Sequence, residues 1–188
     1  MTVPVPSTVP ATVPVLVPST VPVLGGERVV LRPATPDDVA RLVPILGDPS
    51  VARWWTAPSA AGAAADWLAD DGLLKLIIEV DGNVVGSLQI DEEMDPDYRH
   101  ASIDLFLAPT AQDQGLGPDA IRTAARHLVE VRGHHRITID PSAANKRAIR
   151  AYEKVGFRAV GVMRAYERGP DGAWHDNLLM DLLADELT

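Results

Sequence analysis

The 188-residue chain contains no cysteine. Disulfides, thiolate metal sites and a cysteine nucleophile are therefore excluded, and a reducing compartment is compatible with the sequence. Basic residues are scarce: 17 Lys and Arg stand against 26 Asp and Glu, for a formal net charge of −9. A general nucleic-acid binder needs cations to displace phosphate counterions, so no nucleic-acid partner is expected and a cationic one is. Residues 1–26 carry no charged side chain and no uninterrupted apolar run, because proline recurs at Pro4, Pro6, Pro10, Pro14, Pro18 and Pro22. Such a segment is neither a membrane helix nor a secretory leader with its basic start. No membrane partner and a cytoplasmic location are the expectations. The five histidines show no metal-ligand spacing, and no metal is expected. No serine sits in a nucleophile-elbow context.

Apolar residues make up 46% of the chain, enough for a sizeable core in one domain. The expected division is a proline-rich extension over 1–26 and a globular domain over 27–188. The extension reads as extended, polyproline-II-like chain. After Gly25-Gly26, residues 27–32 read as a strand. Thr35, Pro36 and Asp37-Asp38 begin a helix with an apolar stripe through Val39, Leu42, Val43 and Leu46. Helices are expected over 48–55 and 60–69. Asp81-Gly82 between residues 73–80 and 83–90 is a tight hairpin signal. Five carboxylates follow, from Asp91 to Asp97. The remaining pattern is strand 101–107, helix 115–132, strand 136–140, helix 145–154, and strands 157–166 and 174–183. The fold class is mixed α/β, in the order β-α-α-α-β-β-β-α-β-α-β-β.

Charge divides unevenly. Residues 1–117 hold 16 acids and 6 bases; residues 118–188 hold 10 acids and 11 bases. One reading is an acidic half for a cation and a basic half for an anion; the other is scatter. Gln112-Asp113-Gln114-Gly115-Leu116-Gly117-Pro118 precedes a helix. Glycines allow close backbone approach, and the helix start supplies unpaired N–H groups, which suits a pyrophosphate. The loop lacks the third glycine of a dinucleotide fingerprint and the Lys-Ser/Thr of a P-loop.

About thirty residues later, Asn145, Ala148, Tyr152 and Gly156-Phe157 form N-x-x-A-x-x-x-Y-x-x-x-G-F. The pair of patterns resembles the GNAT superfamily of acyl-CoA-dependent N-acetyltransferases over about residues 27–183. Thr138 to Ser142, Arg147 to Phe157, Trp54-Trp55 and Ile103-Asp104 are similar to aminoglycoside 6′-N-acetyltransferases. The resemblance implies the GNAT fold and acetyl-CoA as co-substrate. It places the pantetheine arm along Leu105, Phe106 and Leu107. The pyrophosphate falls at Gln112, Gln114, Gly115, Leu116 and Gly117, with Asn145 and Ala148 beside the CoA arm. Asp113 departs from the usual basic or neutral loop residue and must point away from the pyrophosphate.

The resemblance also implies catalytic roles. Asp104 would orient and deprotonate the amine, directly or through water, because an ammonium has no lone pair. Tyr152 would protonate the leaving thiolate, and N–H groups near Leu107 would polarise the thioester carbonyl. Trp54, Trp55, Asp91, Glu92, Asp104 and Asp140 are the candidate acceptor residues. The candidate residues have plainer readings: core packing for the indoles, a solvated loop for Asp91 and Glu92, a paired structural carboxylate for Asp104, a turn for Asp140, a core tyrosine for Tyr152 and an N-cap for Asn145. The implied acceptor is a small cationic amine, first the 6′-amine of an aminoglycoside, which would make the chain an antibiotic-resistance enzyme acting in a ternary complex. A protein N-terminus or small polyamine is the alternative acceptor, and a non-catalytic CoA-binding module the alternative of another class. Relatives vary between monomer and homodimer, with a homodimer expected here.

Overall fold

A computed structural model describes residues 21–55, 59–69 and 71–187. The expectation of an extended tail over residues 1–20 lies outside them. The elements are β1 (Leu24–Gly25), β2 (Val30–Pro33), α1 (Val39–Leu46), α2 (Pro49–Ala52), α3 (Ala60–Trp67), β3 (Leu74–Val80), β4 (Asn83–Glu93) and β5 (His100–Leu107). Then come α4 (Leu116–Glu130), β6 (Arg136–Ile139), α5 (Lys146–Glu153), β7 (Arg158–Arg168) and β8 (Trp174–Leu183). The eight strands form one mixed sheet in the order β1-β2-β3-β4-β5-β6-β8-β7. Only the β5–β6 pairing is parallel. The expected mixed α/β fold and element order are present, with one additional strand at the start.

That addition has a physical cause. A strand was expected over residues 27–32, but Asp119 of α4 draws the backbone N–H groups of Glu27, Arg28 and Val29 onto its carboxylate at 3.0, 2.8 and 3.0 Å. Those donors leave no ladder, so the chain turns there, closed by Gly26 N–H to Val29 C=O. A Cβ on Gly26 would lie 2.6 Å from Thr123 Oγ1 and 2.9 Å from Asp119 Oδ1, so the clamp needs glycine. Leu24–Gly25 pairs with β2, and Val21 is buried, so part of the sequence expected to be extension belongs to the fold.

Period-two alternation sends side chains to the two sheet faces. Leu31, Leu76, Ile78, Leu88, Ile90, Ala101 and Ile103 meet Ala120, Ile121, Ala124, Ala125 and Leu128 of α4. Ile77 and Phe106 meet Leu42, Ile45, Leu46, Val51, Ala64 and Trp67 from α1 to α3. The hairpin forms as expected: Asp81 (φ 50°) and Gly82 (φ 74°) both take the left-handed backbone that its tight turn requires.

β4 continues to Glu93, beyond the expected end at residue 90, and this corrects Glu92 as an acceptor residue. Glu92 falls on the α4 face, opposite Asp104. Its carboxylate meets Arg132 Nε and His134 Nε2, each at 2.6 Å. Burial pushes that carboxyl up, but the His134 and Arg132 hydrogen bonds outweigh burial and hold it at about 2. Glu92 is a buried anchor, not part of a loop. Its depressed value contributes stability above the ordinary carboxylate range, and this is lost as pH falls from about 4 toward 2. Glu92→Gln leaves Arg132 without its buried carboxylate and is expected to cost about 3 kcal/mol at pH 7. Urea unfolding at pH 7 and pH 3 checks this: the deficit at pH 7 shrinks at pH 3.

Candidate active site

The site follows from one break in the sheet. β5 and β6 pair only at Ala101–Ile137 and Ser102–Thr138, with a hydroxyl contact of 2.9 Å between Ser102 and Thr138. Beyond that rung β5 continues to Leu107 without β6, while β4 stays paired to it throughout. The Ala108 N–H bond to Val85 C=O sets the alternation, so Phe106 and Asp104 bond toward β4 while Leu105 and Leu107 direct their backbone groups toward the gap. Two of those groups are met locally: Asp104 Oδ1 accepts the Leu105 N–H at 2.8 Å, and Gln112 Nε2 donates to the Leu107 carbonyl at 2.9 Å. Gly86 holds β4 close here; a Cβ would lie 2.2 Å from the Phe106 carbonyl oxygen.

A cavity of about 450 Å³ opens along this edge. It is lined by Leu105, Phe106, Leu107, Gln112, Gly115, Gly117, Asn145, Ala148 and Tyr152, all expected from the sequence. Gly115 begins α4 with φ 80°. Two expected residues are not there. The Gln114 amide donates to the Thr110 carbonyl, and Leu116 is buried in the core as the first residue of α4. Asp113 lines the cavity at φ 59°, exposed. Asn145 caps α5, accepting the Ala148 N–H at 3.2 Å, while also lining the cavity. Three cations not singled out from sequence, Arg147, Arg150 and Lys154, line it too. Their spacing of three and four puts them on one face of α5, a signal that was available in the sequence. Arg147 also bonds the Gln112 amide oxygen.

A second cavity, of about 270 Å³, adjoins the first across Trp54, Trp55, Leu105, Asn145 and Tyr152. Asp104 and Asp140 line it, as expected, together with Tyr166, Glu167 and Asn177, which were not foreseen. Trp55 does two jobs: it meets Trp67 and Phe106 edge-on, at 4.9 and 5.6 Å between ring centres, and still faces both cavities. Asp91 does not line either cavity. It lies on the Asp104 face of the sheet, opposite Ser102, but exposed toward the far end of β4. Burial, then the Asp140 charge, pushes Asp104 up to about 7. Burial and Glu167 raise Asp140 as well. Tyr152 is pushed well above the usual phenol range by burial and by Asp104 and Asp140, so its hydroxyl stays protonated.

The cleft thus offers backbone donors, a glycine loop at a helix start and a cationic helix face at one end, and three carboxylates at the other. Residues 28–158 match the family model of the acetyltransferase (GNAT) domain. The chain belongs to the GNAT acetyltransferases. It is 31% identical over 166 residues to aminoglycoside N(6′)-acetyltransferase type 1 of Klebsiella pneumoniae, covering 78% of this chain and 80% of that one. It is 25% identical over 139 residues to spermidine N(1)-acetyltransferase of Escherichia coli, covering 71% and 74%. The solved structure of AAC(6′)-Ib in complex with ribostamycin and coenzyme A superposes with a TM-score of 0.70 at 27% identity, covering 85% of this chain and 96% of that one. This GNAT enzyme is an acetyl-CoA-dependent N-acetyltransferase, and its cleft suits the co-substrate: the donor set of α5 and the loop into α4 is what a polyphosphate requires.

Two measurements follow. Arg147→Ala with Lys154→Ala is expected to weaken CoA binding about tenfold or more and to flatten its salt dependence, read by calorimetry at two ionic strengths. Asp104, being raised, stabilises the folded GNAT domain below its ordinary value near 4 and loses that contribution as pH rises through about 7. Asp104→Asn is therefore expected to melt higher than wild type at pH 8, with the gap closing by pH 5 in thermal scans.

Proposed function

We propose that this enzyme transfers the acetyl group of acetyl-CoA to a primary amine of a polycationic acceptor, first the 6′-amine of an aminoglycoside. The observation that carries the reading is the acidic cavity: Asp104, Asp140 and Glu167 surround a space bounded by Trp54, Trp55 and Leu105, which adjoins the larger cavity lined by Leu107. Three carboxylates select an occupant with several positive charges, and indole faces favour a ring with attached cations. The likeness to an aminoglycoside acetyltransferase supports this acceptor. The likeness to a spermidine acetyltransferase supports a linear polyamine as the second reading.

In this reading Asp104 binds the ammonium and takes one proton from it. A carboxylate near 7 is ionised often enough at working pH, and basic enough, to do so. The freed lone pair forms the N–C bond at the thioester carbonyl carbon, whose oxygen the Leu107 N–H stabilises. The C–S bond breaks, and the sulfur takes a proton from Tyr152. The second proton lost by the nitrogen returns to Tyr152, and Asp104 releases its proton to solvent. No covalent enzyme intermediate is formed.

Thiol release from acetyl-CoA tests the reading, with kanamycin, a kanamycin lacking the 6′-amine, and spermidine as acceptors. Turnover is expected with kanamycin and is lost without the 6′-amine; unchanged turnover without that amine rejects the 6′ assignment, and preference for spermidine selects the second reading. Asp104→Asn is expected to lower turnover by about 100-fold or more while CoA binding survives. In wild type kcat/KM rises with pH through an apparent value near 7, and the variant loses that limb.

A further inference from the structure

A further cavity, of about 360 Å³, is lined by Arg53, Trp54, Ser142, Glu167, Asp171 and His175. The acetyl-transfer chemistry makes no use of it. Trp54, Ser142 and Glu167 also line the acceptor cavity. They come from separate segments: Trp54 follows α2, Ser142 lies in the turn after β6, and Glu167 lies on β7. Residues from three segments border both spaces, so they surround a junction between them. The carboxylates follow one order across that junction. Asp104 and Asp140 line the inner cavity alone, Glu167 lines both, and Asp171 lines the outer cavity alone.

The outer carboxylate is held in place. His175 Nε2 faces both Asp171 oxygens, at 2.8 and 3.0 Å, and the Ala173 N–H donates to Oδ1 at 3.0 Å. The His175 hydrogen bond first, and then the Ala173 N–H, lower the Asp171 carboxyl below its ordinary value. A Cβ on Gly169 would lie 2.5 Å from the His175 ring and 2.9 Å from Asp171 Oδ1, so the pair seats against a bare backbone. Arg53 supplies the opposite chemistry: its guanidinium lies 5.0 Å from the Trp54 ring centre. A guanidinium donates only and repels cations, while a carboxylate accepts and attracts them. A ring that carries one ammonium and several hydroxyls satisfies both. A linear polyamine has no oxygen to offer Arg53.

We infer that this outer cavity is a distal acceptor subsite for an amino-sugar ring: Asp171 holds the ammonium of the ring farthest from the reacting amine, and Arg53 donates to its hydroxyls. The reacting amine sits at Asp104, the middle of the acceptor passes Glu167, and the far ring rests between Trp54 and the β7–β8 turn. This rests on the acetyl-transfer reading above and adds the length and ring character of the acceptor.

The test uses two acceptors that share the 6′-amine: three-ring kanamycin B, and neamine, which lacks its third, amine-bearing ring. Thiol release from acetyl-CoA is measured for wild type, Asp171→Asn and Asp171→Lys. Asp171→Asn keeps an oxygen for His175 and the Ala173 N–H, so it removes charge and spares the turn. Asp171 is exposed, so the expected rise in KM for kanamycin B is modest: about threefold in Asp171→Asn and about tenfold in Asp171→Lys. The KM values for neamine and acetyl-CoA are expected to stay within twofold of wild type; a loosened fold would raise all three. A second measurement needs no variant: in ¹⁵N-labelled protein saturated with CoA, kanamycin B shifts the Gly172 and Ala173 backbone amides and neamine does not. Equal KM changes for both acceptors, an unchanged kanamycin B KM in Asp171→Lys, or turn amides that ignore kanamycin B overturns the inference and leaves acetyl transfer intact. Shifted amides without thiol release from either acceptor reject the 6′-acetylation reading and keep the subsite; neither shifts nor thiol release rejects both.

Discussion

The parting of β5 from β6 after the Ser102–Thr138 rung is the constraint on which the site depends. A sheet interior does not tolerate unmet backbone groups, so a gap between neighbouring strands must be lined by something else. Here the substitutes are local: Asp104 takes one N–H, Gln112 fills one carbonyl, and the start of α4 closes the loop end. What remains is a strand edge pointing into a cleft, ready to pair with an extended ligand arm. The clamp of Asp119 on residues 27–29 holds the far side of α4 to the first strands, and Arg28 reaches from that clamp to the Gln114 carbonyl in the glycine loop. The anion-binding loop is thus tied to the sheet from both ends.

Charge is sorted along the same gap. Arg147, Arg150 and Lys154 occupy the cleft side of α5, while Asp104, Asp140 and Glu167 occupy the adjoining cavity, with Tyr152 shared between the two. Burial first, and then neighbouring negative charge, raises Asp104 and Asp140, and the repulsion is relieved when a cation enters. The same arrangement that costs the empty protein stability gives Asp104 its basicity. The uneven charge along the sequence therefore has a partial spatial counterpart: the cationic cluster does come from the basic half, but Asp140 and Glu167 come from that half too.

Much of this was legible because it is local. The Asp81-Gly82 turn, the helix start after the glycine loop and the Asn145 cap each depend on a few adjacent residues and are present, although Gln114 and Leu116 of that loop lie outside the cleft. Glu92 was misread because strand parity is fixed by pairing partners: once β4 runs on to Glu93, residue 92 must face α4, where Arg132 and His134 wait. The first strand was misplaced because a carboxylate about ninety residues away takes its N–H groups. Nothing near Glu27 in the sequence announces that. Asn177 was invisible for a related reason: its partners, Asp140 and Glu167, reach it from other elements.

Glu167 and Tyr166 reach the cavity through a distortion that no periodicity predicts. Between the pairs Met163–Asn177 and Glu167–His175, β7 carries more residues than β8, and Ala165 within the bulge sits at φ 48°. A left-handed alanine costs of order 1–3 kcal/mol and persists only where its surroundings hold it. Its N–H is held by Asp176 Oδ1 at 2.8 Å, and the Asp176 carbonyl in turn accepts from Ala143 N–H beside the Asp140 turn. The bulge, the turn after β6 and the orientation of Asn177 are therefore one mechanical unit. A regular ladder through residues 163–167 would place different side chains beside Asp140, and the acceptor cavity would lose both its third carboxylate and one of the two acceptors that fix the Asn177 amide.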